Sequence, residues 1–388
     1  MTTGFVPPPY PYERLGELKA IADRLSGGAI DLSIGTPCDS PPPEVIASLA
    51  APGLSEGYPP SIGTPAFRAA AADWISRRLG AKVDADAEVA ACVGTKEFVA
   101  SVPQYLQLRT PDSDTVLYPA ISYPTYEMGA ILAGVRAVPY QRLDEIADAD
   151  AARALCLWVN SPNTPPGEVS DLAEAAGWGR DRAVPVLSDE CYAEFSYSGA
   201  PSTILRSGTA GVLALHSLSK RDNFAGARIG FYAGDAELVH YLREVRKHAG
   251  LMPPGPVQHA ATVALADDEH VEAQRQRYWR RMLRLRQVLA AVGLPAKMPD
   301  GAFYLWLEAP GGDAWAAARM LAERAGIVAS PGEFYGPAST GYLRVAAVAP
   351  DDRIELAARR VGAGLTSRPQ PRWAQPNSTP CASGNSVE

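Results

Sequence analysis

Lys220 has the surroundings that covalent chemistry on a carbonyl compound would need. It follows Ser217 by three residues, and Arg228 comes eight residues later. The apolar run Val212 to Leu215 reads as a buried strand, and a second apolar run spans Ile229 to Ala233. A lysine amine at a strand end can form a Schiff base with an aldehyde. A neighbouring hydroxyl and guanidinium can grip a phosphate at the same time. A single loop lysine is ordinarily a hydrated charge, so the reading rests on what other elements bring to it.

Those elements are legible as apolar runs that end in polar residues. Val89 to Val93 reads as a strand, and Gly94, Thr95 and Lys96 then open a helix whose free amides can hold an anion. Leu155 to Val159 and Val184 to Leu187 are continuous apolar runs, the pattern of strands buried on both faces of a parallel sheet. The first ends in Asn160 and the segment Asn163-Thr164-Pro165-Pro166-Gly167. The second ends in Asp189, Glu190, Cys191 and Tyr192. Open α/β sheets take ligands at such carboxyl ends. Val116 to Tyr118 and Val135 to Tyr140 are further strands, and Tyr123 lies between them. Thr64 and Pro65 cap a helix with an apolar stripe of Phe67, Ala70, Ala71, Trp74 and Ile75.

Residues 1–45 read as an N-terminal arm and part of a small domain, with a helix from Tyr12 to Leu25 and a short strand turning at Gly35. Residues 46–275 read as a large domain. An arginine-rich helix, Val271 to Val292, leads into a small α+β domain over 276–365. That domain has strands Ala302 to Leu307 and Tyr342 to Val348, helices Asp313 to Ala325 and Asp352 to Val361, and Arg344 within its second strand. A guanidinium there can capture a carboxylate in bidentate fashion. Residues 366–388 are rich in Pro, Ser and Asn and read as a disordered tail. The expected fold class is therefore α/β, a mostly parallel sheet sandwiched by helices plus a smaller α+β domain.

Net charge is −7 and the pI about 5.4, so no basic face for nucleic acid is expected. No apolar run is long enough to span a membrane, and the N-terminus lacks the apolar core of a secretory signal. The 5 cysteines show no metal or disulfide spacing. A cytoplasmic location is expected.

Ser217-x-x-Lys220 followed by Arg228 resembles the pyridoxal-phosphate (PLP) lysine motif of fold-type I, class I/II aminotransferases. The resemblance extends over residues from about 30 to 365. It implies that Lys220 binds PLP as a Schiff base. Gly94, Thr95, the Lys96 amide, Ser217 and Arg228 would cradle the phosphate. Tyr123 would stack on the ring, Asp189 would keep the pyridine nitrogen protonated, and Tyr192 would lie near the ring hydroxyl. Tyr58, in a Tyr58, Gly63, Arg68 pattern, would reach the phosphate in a neighbouring subunit, which implies a homodimer. Gly35 and Arg344 would hold the substrate α-carboxylate. The run Arg246 to Gln258 is similar to actinobacterial-type N-succinyldiaminopimelate aminotransferases. One departure stands out: the family usually has Asn-Pro-Thr-Gly where this chain has Thr164-Pro165-Pro166-Gly167. Asn163 or Thr164 is expected to contact the ring hydroxyl instead.

The implied activity is transfer of an amino group between glutamate and a 2-oxo acid, of N-succinyl-diaminopimelate type by the same resemblance. The altered Thr164 segment keeps open a PLP-dependent γ-elimination or carbon–carbon bond formation on an S-adenosylmethionine-like amino acid. A regulator built on this fold would need a DNA-binding domain, for which these residues leave no room. If the central lysine is read correctly, Lys220→Ala should abolish turnover yet still bind PLP weakly through Gly94, Ser217 and Arg228. Turnover by that variant near the wild-type rate would contradict the reading.

Overall fold

The computed structural model describes residues 4–363; the expected tail at 366–388 lies outside them. At its centre are seven strands: β1 (Val89–Cys92), β2 (Thr115–Pro119), β3 (Arg136–Tyr140), β4 (Ala154–Asn160), β5 (Val186–Asp189), β6 (Val212–Ser217) and β7 (Gly230–Gly234). Their order across the sheet is β1-β7-β6-β5-β4-β2-β3. All run parallel except β7, which is antiparallel to both neighbours. β4 through β7 are buried along their whole length, because helices cover both faces. Side chains alternate between the two cores, as strand geometry requires. Leu157 and Phe231 pack on one face with Phe67 and Trp74, and Trp158 and Tyr232 on the other with Phe98 and Tyr126.

A separate core joins the two ends of the chain. Leu15 and Leu18 of the N-terminal segment pack with Tyr278, Met282 and Leu285 of the long helix Glu269–Ala291. The same core takes Leu321 from helix Ala314–Ala325 and the inner faces of a three-stranded antiparallel sheet. Those strands are β8 (Tyr304–Glu308), β9 (Ser330–Pro331) and β10 (Tyr342–Ala346), in the order β9-β10-β8. Ile30–Asp31 pairs in parallel with Ile327–Val328 as a separate two-stranded sheet, which ties the N-terminal segment to the C-terminal part of the chain. The division at about residues 46 and 276 remains our proposal.

Several elements differ from the sequence reading. The expected helix Tyr12 to Leu25 is a 3-10 turn, Pro11–Leu15, followed by a shorter α-helix, Gly16–Ala22. Two helices without a clear sequence signal appear at Leu172–Arg182 and Gly255–Ala266. The first contains Gly177 and Gly179, which weaken a helical pattern. Gly179 is there for contact: a Cβ on it would lie 2.3 Å from the Val186 side chain.

The reversal of β7 has a direct consequence for chemistry. A parallel strand would begin at the far edge of the sheet. As an antiparallel strand, β7 begins where β1 and β6 end, with Gly230 opposite Cys92 and Ser217. Arg228, just before it, therefore sits at the same edge as the strand ends carrying Asp189 and Ser217. The fit is tight, since a Cβ at Gly230 would stand 2.7 Å from the His216 carbonyl oxygen. Gly230→Ala should cost about 1–3 kcal/mol through overpacking, read as a lower denaturation midpoint. An unchanged midpoint would mean the strands have room to spare.

Candidate active site

Ser217 ends β6 and caps a four-residue helix, Leu218–Arg221, its hydroxyl accepting from the Ser219 amide at 3.2 Å. This turn lifts Lys220 off the sheet edge. Its amine donates to the Gly35 carbonyl from the N-terminal segment. Burial pulls the Lys220 pKa down to about 8; Cys191 and Asp189 oppose the shift, and Arg344 and Arg228 add to it. A larger fraction of this amine is therefore unprotonated near neutrality than of an ordinary lysine.

Asp189, at the end of β5, is buried and oriented from two sides. Its Oδ2 accepts from the Tyr126 hydroxyl at 2.8 Å and its Oδ1 from the Cys191 amide at 3.1 Å. Tyr126 in turn stacks on Trp158, ring centroids 5.0 Å apart. Tyr123 meets Tyr126 edge-on at 6.1 Å. At the other end, Gly94 caps helix Thr95–Arg109 with φ 77. Only glycine takes that conformation freely, and a Cβ would also lie 2.3 Å from the Arg228 guanidinium. Arg228 itself is held at φ 56, an uncommon state for a residue with a side chain.

Thr164 is buried. Its amide donates to Asn160 Oδ1 at 2.8 Å, while its hydroxyl has no partner. Asn163 is committed elsewhere: its amide nitrogen donates to Glu168 Oε2 at 3.2 Å, and its side-chain oxygen accepts from the Glu168 amide at 2.8 Å. Of the two candidates, Thr164 has the uncommitted polar atom. Nearby, the hydroxyls of Tyr192 and Tyr304 are 2.7 Å apart.

Arg344, in β10, is buried between two rings, 4.3 Å from the Tyr304 centroid and 4.6 Å from that of Tyr335. Its Nη2 donates to the Ser33 carbonyl at 2.7 Å and the Tyr12 hydroxyl at 3.3 Å. Its Nε is buried without a partner. A Cβ at Gly35 would stand 1.9 Å from the Tyr304 hydroxyl, so no side chain fits there. Tyr58 is 98% exposed in the single chain and stands apart from this constellation.

Tyr126 and Tyr304 escaped the sequence reading because each reads as an ordinary core aromatic. Tyr304 pairs with Ala346, two residues from Arg344, and such diagonal neighbours share a sheet face, a register that the sequence does not reveal.

The site thus offers an amine, a fixed carboxylate, an unsatisfied buried hydroxyl and a helix N-terminus beside a guanidinium. They match PLP part by part: its aldehyde, pyridine nitrogen, ring hydroxyl and phosphate. Fold and site define a fold-type I PLP enzyme. The family model for aminotransferase class I and II matches residues 28–361, so the chain belongs to that family and is a PLP-dependent enzyme. It is 41% identical over 362 residues to the 4-dedimethylamino-4-oxo-anhydrotetracycline transaminase OxyQ of Streptomyces rimosus, covering 91% of this chain and 99% of that one. It is 35% identical over 376 residues to the LL-diaminopimelate aminotransferase of Aquifex aeolicus, covering 91% and 96%. The solved structure of a probable N-succinyldiaminopimelate aminotransferase from Thermus thermophilus superposes with a TM-score of 0.80 at 30% identity, covering 91% and 99%.

Two outcomes follow from this geometry. Tyr126→Phe removes a hydrogen bond to a charged group, worth roughly 1.5–3 kcal/mol. PLP affinity should fall about tenfold or more in an absorbance titration, and unchanged affinity would show that Asp189 needs no such support. The second concerns pH. Capture of PLP by the apoprotein should accelerate as pH rises toward about 8, where Lys220 loses its proton, and level off above it. A profile still climbing steeply toward pH 10 would place the lysine in an ordinary, hydrated environment.

Proposed function

We propose that this enzyme moves an amino group from an α-amino acid such as glutamate to a 2-oxo acid bearing a second, distal anionic group, the N-succinyl-diaminopimelate type. The observation that carries the second half is Lys96. Its ammonium lies 5.0 Å over the Tyr10 ring and has no carboxylate partner among the described residues. Burial and Arg228 both hold its pKa below the usual lysine value, as expected for a cation short of an anion. Tyr10 adjoins Tyr12, ring centroids 5.3 Å apart, and Tyr12 reaches Arg344. A row of tyrosines therefore separates two cations, suited to a substrate with an anion at each end.

In this reading Arg344 takes the α-carboxylate, and the bare backbone at Gly35 lets the Tyr304 hydroxyl pack beside it. Bound PLP supplies a carbonyl that accepts an amino group and a ring that spreads negative charge. With PLP bound, Lys220 Nζ would be the base placed to take a proton from the substrate Cα and to give it back. Asp189, steadied by Tyr126, would hold the pyridine nitrogen. Thr164, Tyr192 and Tyr304 serve the ring hydroxyl, Tyr123 the ring face. Gly94, Thr95, the Lys96 amide, Ser217 and Arg228 serve the phosphate. Tyr58, exposed here, reaches the site of a second copy in a homodimer. Among the described residues Cys38, Cys92, Cys156 and Cys191 are free thiols, which fits a reducing compartment such as the cytoplasm.

A second reading of the acceptor draws on the relative named for an oxo group on an anhydrotetracycline. Tyr10 and Tyr12, with ring planes tilted 46° to each other, offer aromatic faces against which a fused-ring ketone could pack. γ-Elimination is not favoured for a member of this aminotransferase family.

A panel of acceptors, followed by amino-group transfer from glutamate, separates these readings. Lys96→Ala should raise KM about tenfold or more for acceptors with a distal carboxylate and leave monocarboxylate acceptors unaffected. Arg344→Ala, losing two charge-assisted hydrogen bonds worth roughly 3–6 kcal/mol together, should weaken every α-amino acid by orders of magnitude. Equal effects of Lys96→Ala on both acceptor types would remove the distal-anion reading, and turnover confined to fused-ring ketones would favour the second.

A further inference from the structure

Behind the strand ends lies a small space whose wall includes Glu190 and His216, side chains that none of the chemistry above uses. Trp74, Glu190, His216, Ser217, Arg221 and Phe231 contribute to its wall. Its volume is about 10 Å³, roughly the least that holds one water molecule. Glu190 and His216 are both buried, with Glu190 Oε2 3.5 Å from His216 Nε2. Glu190 Oε2, both His216 nitrogens and Arg221 Nε are buried without a hydrogen-bond partner among the described residues. Unsatisfied polar atoms gathered round a water-sized space are the usual setting of a structural water.

The location gives this pair its interest. Glu190 directly follows Asp189, and His216 directly precedes Ser217. The Glu190 amide donates to the Leu215 carbonyl at 2.9 Å, so the two side chains hang beneath the junction of β5 and β6. We propose that Glu190 and His216, bridged by one water, form a neutral hydrogen-bonded link that holds the residue facing the cofactor's pyridine nitrogen in register with the residue facing its phosphate. They are positioning residues, since neither touches the cofactor.

The groups around Glu190 leave it little choice of charge state. Its Oε1 accepts from the Ser188 hydroxyl and the Ile204 amide, each at 2.8 Å, and Thr203 adds a further hydrogen bond. The nearby carboxylate of Asp189 repels a second negative charge. Glu194 also lines the space, but its charge is met by Arg78 at 2.9 Å and the Trp74 indole at 2.8 Å. Arg221, the cation nearest the space, spends its Nη atoms on Asp222, Asp268 and the carbonyls of Ala264 and Asp267. Its Nε lies 3.5 Å from Glu194. Burial pushes the Glu190 pKa up to about 7 and that of His216 down to about 3. At pH 6 the carboxylic acid therefore donates, and the imidazole and the water accept and relay. Because the folded pKa of Glu190 is raised, the link is intact at low pH and is lost as pH rises through about 7.

The test uses the holoenzyme and measures the PLP dissociation constant between pH 6 and pH 9 by dialysis and absorbance. This readout is independent of which substrates are turned over, so it stands whether or not the distal-anion reading does. Glu190→Gln keeps a donor and an acceptor but cannot ionise. It should match wild type within about threefold at pH 6, and wild type should then lose affinity relative to it by about tenfold by pH 8.5, with an inflection near 7. Glu190→Leu, of similar volume but without hydrogen-bonding atoms, should bind PLP at least tenfold more weakly than Glu190→Gln at pH 6. The link is refuted if the wild-type and Glu190→Gln profiles run parallel over the whole range. It is refuted equally if Glu190→Leu binds PLP as tightly as wild type, since packing alone would then suffice.

Discussion

The register of β5 on β6 is the constraint on which the site depends. Asp189 lies opposite Leu215, two residues before Ser217, and the adjoining strand ends are tied by backbone hydrogen bonds. A shift of one residue would turn every side chain on one strand to the other face of the sheet. Asp189 and Ser217 would no longer face the same space, and Trp158 and Leu157 set the same demand on β4. Burial on both faces holds this register, because any slip would also push large apolar side chains out of two cores at once.

That same burial sets the electrostatics. Asp189 and Arg344 are buried and Lys220 is partly so, in a cleft where charge is costly unless it is paired, with the exposed Arg228 at its rim. Among the described residues Arg344 is met by carbonyl, hydroxyl and ring faces but not by a carboxylate, and Lys220 by a carbonyl. Cations without counter-ions at a site bordered by a helix N-terminus make an anion-seeking surface. PLP and an amino acid bring the missing phosphate and carboxylate. The folded chain gains stability from whatever binds it in preference to the unfolded chain, so cofactor loading and fold stability are linked.

How much of this was legible in the sequence depended on the kind of signal. Lys220, Asp189, Gly94 and Arg344 stood out because each is polar or glycine where an apolar run ends or alternates. Thr164 stood out as a departure from a motif, and its unpartnered hydroxyl marks it apart from Asn163. The direction of β7 was not legible, because apolar periodicity reports burial and says nothing of polarity along the sheet. Tyr126 and Tyr304 were hidden among core aromatics, since only their hydroxyl partners, Asp189 and Tyr192, distinguish them. Glu190 and His216 were hidden differently: a strand sequence does not reveal that two titratable groups at adjacent strand ends line one small space.

The central claim is that one lysine, lifted off the end of β6, carries the cofactor. Reducing the PLP-loaded protein with borohydride fixes the bond, and peptide mass spectrometry then reports its position. The account predicts a single pyridoxyl-phosphate adduct on Lys220. An adduct on Lys96 or another lysine, or no adduct on a protein that has taken up PLP, would contradict it.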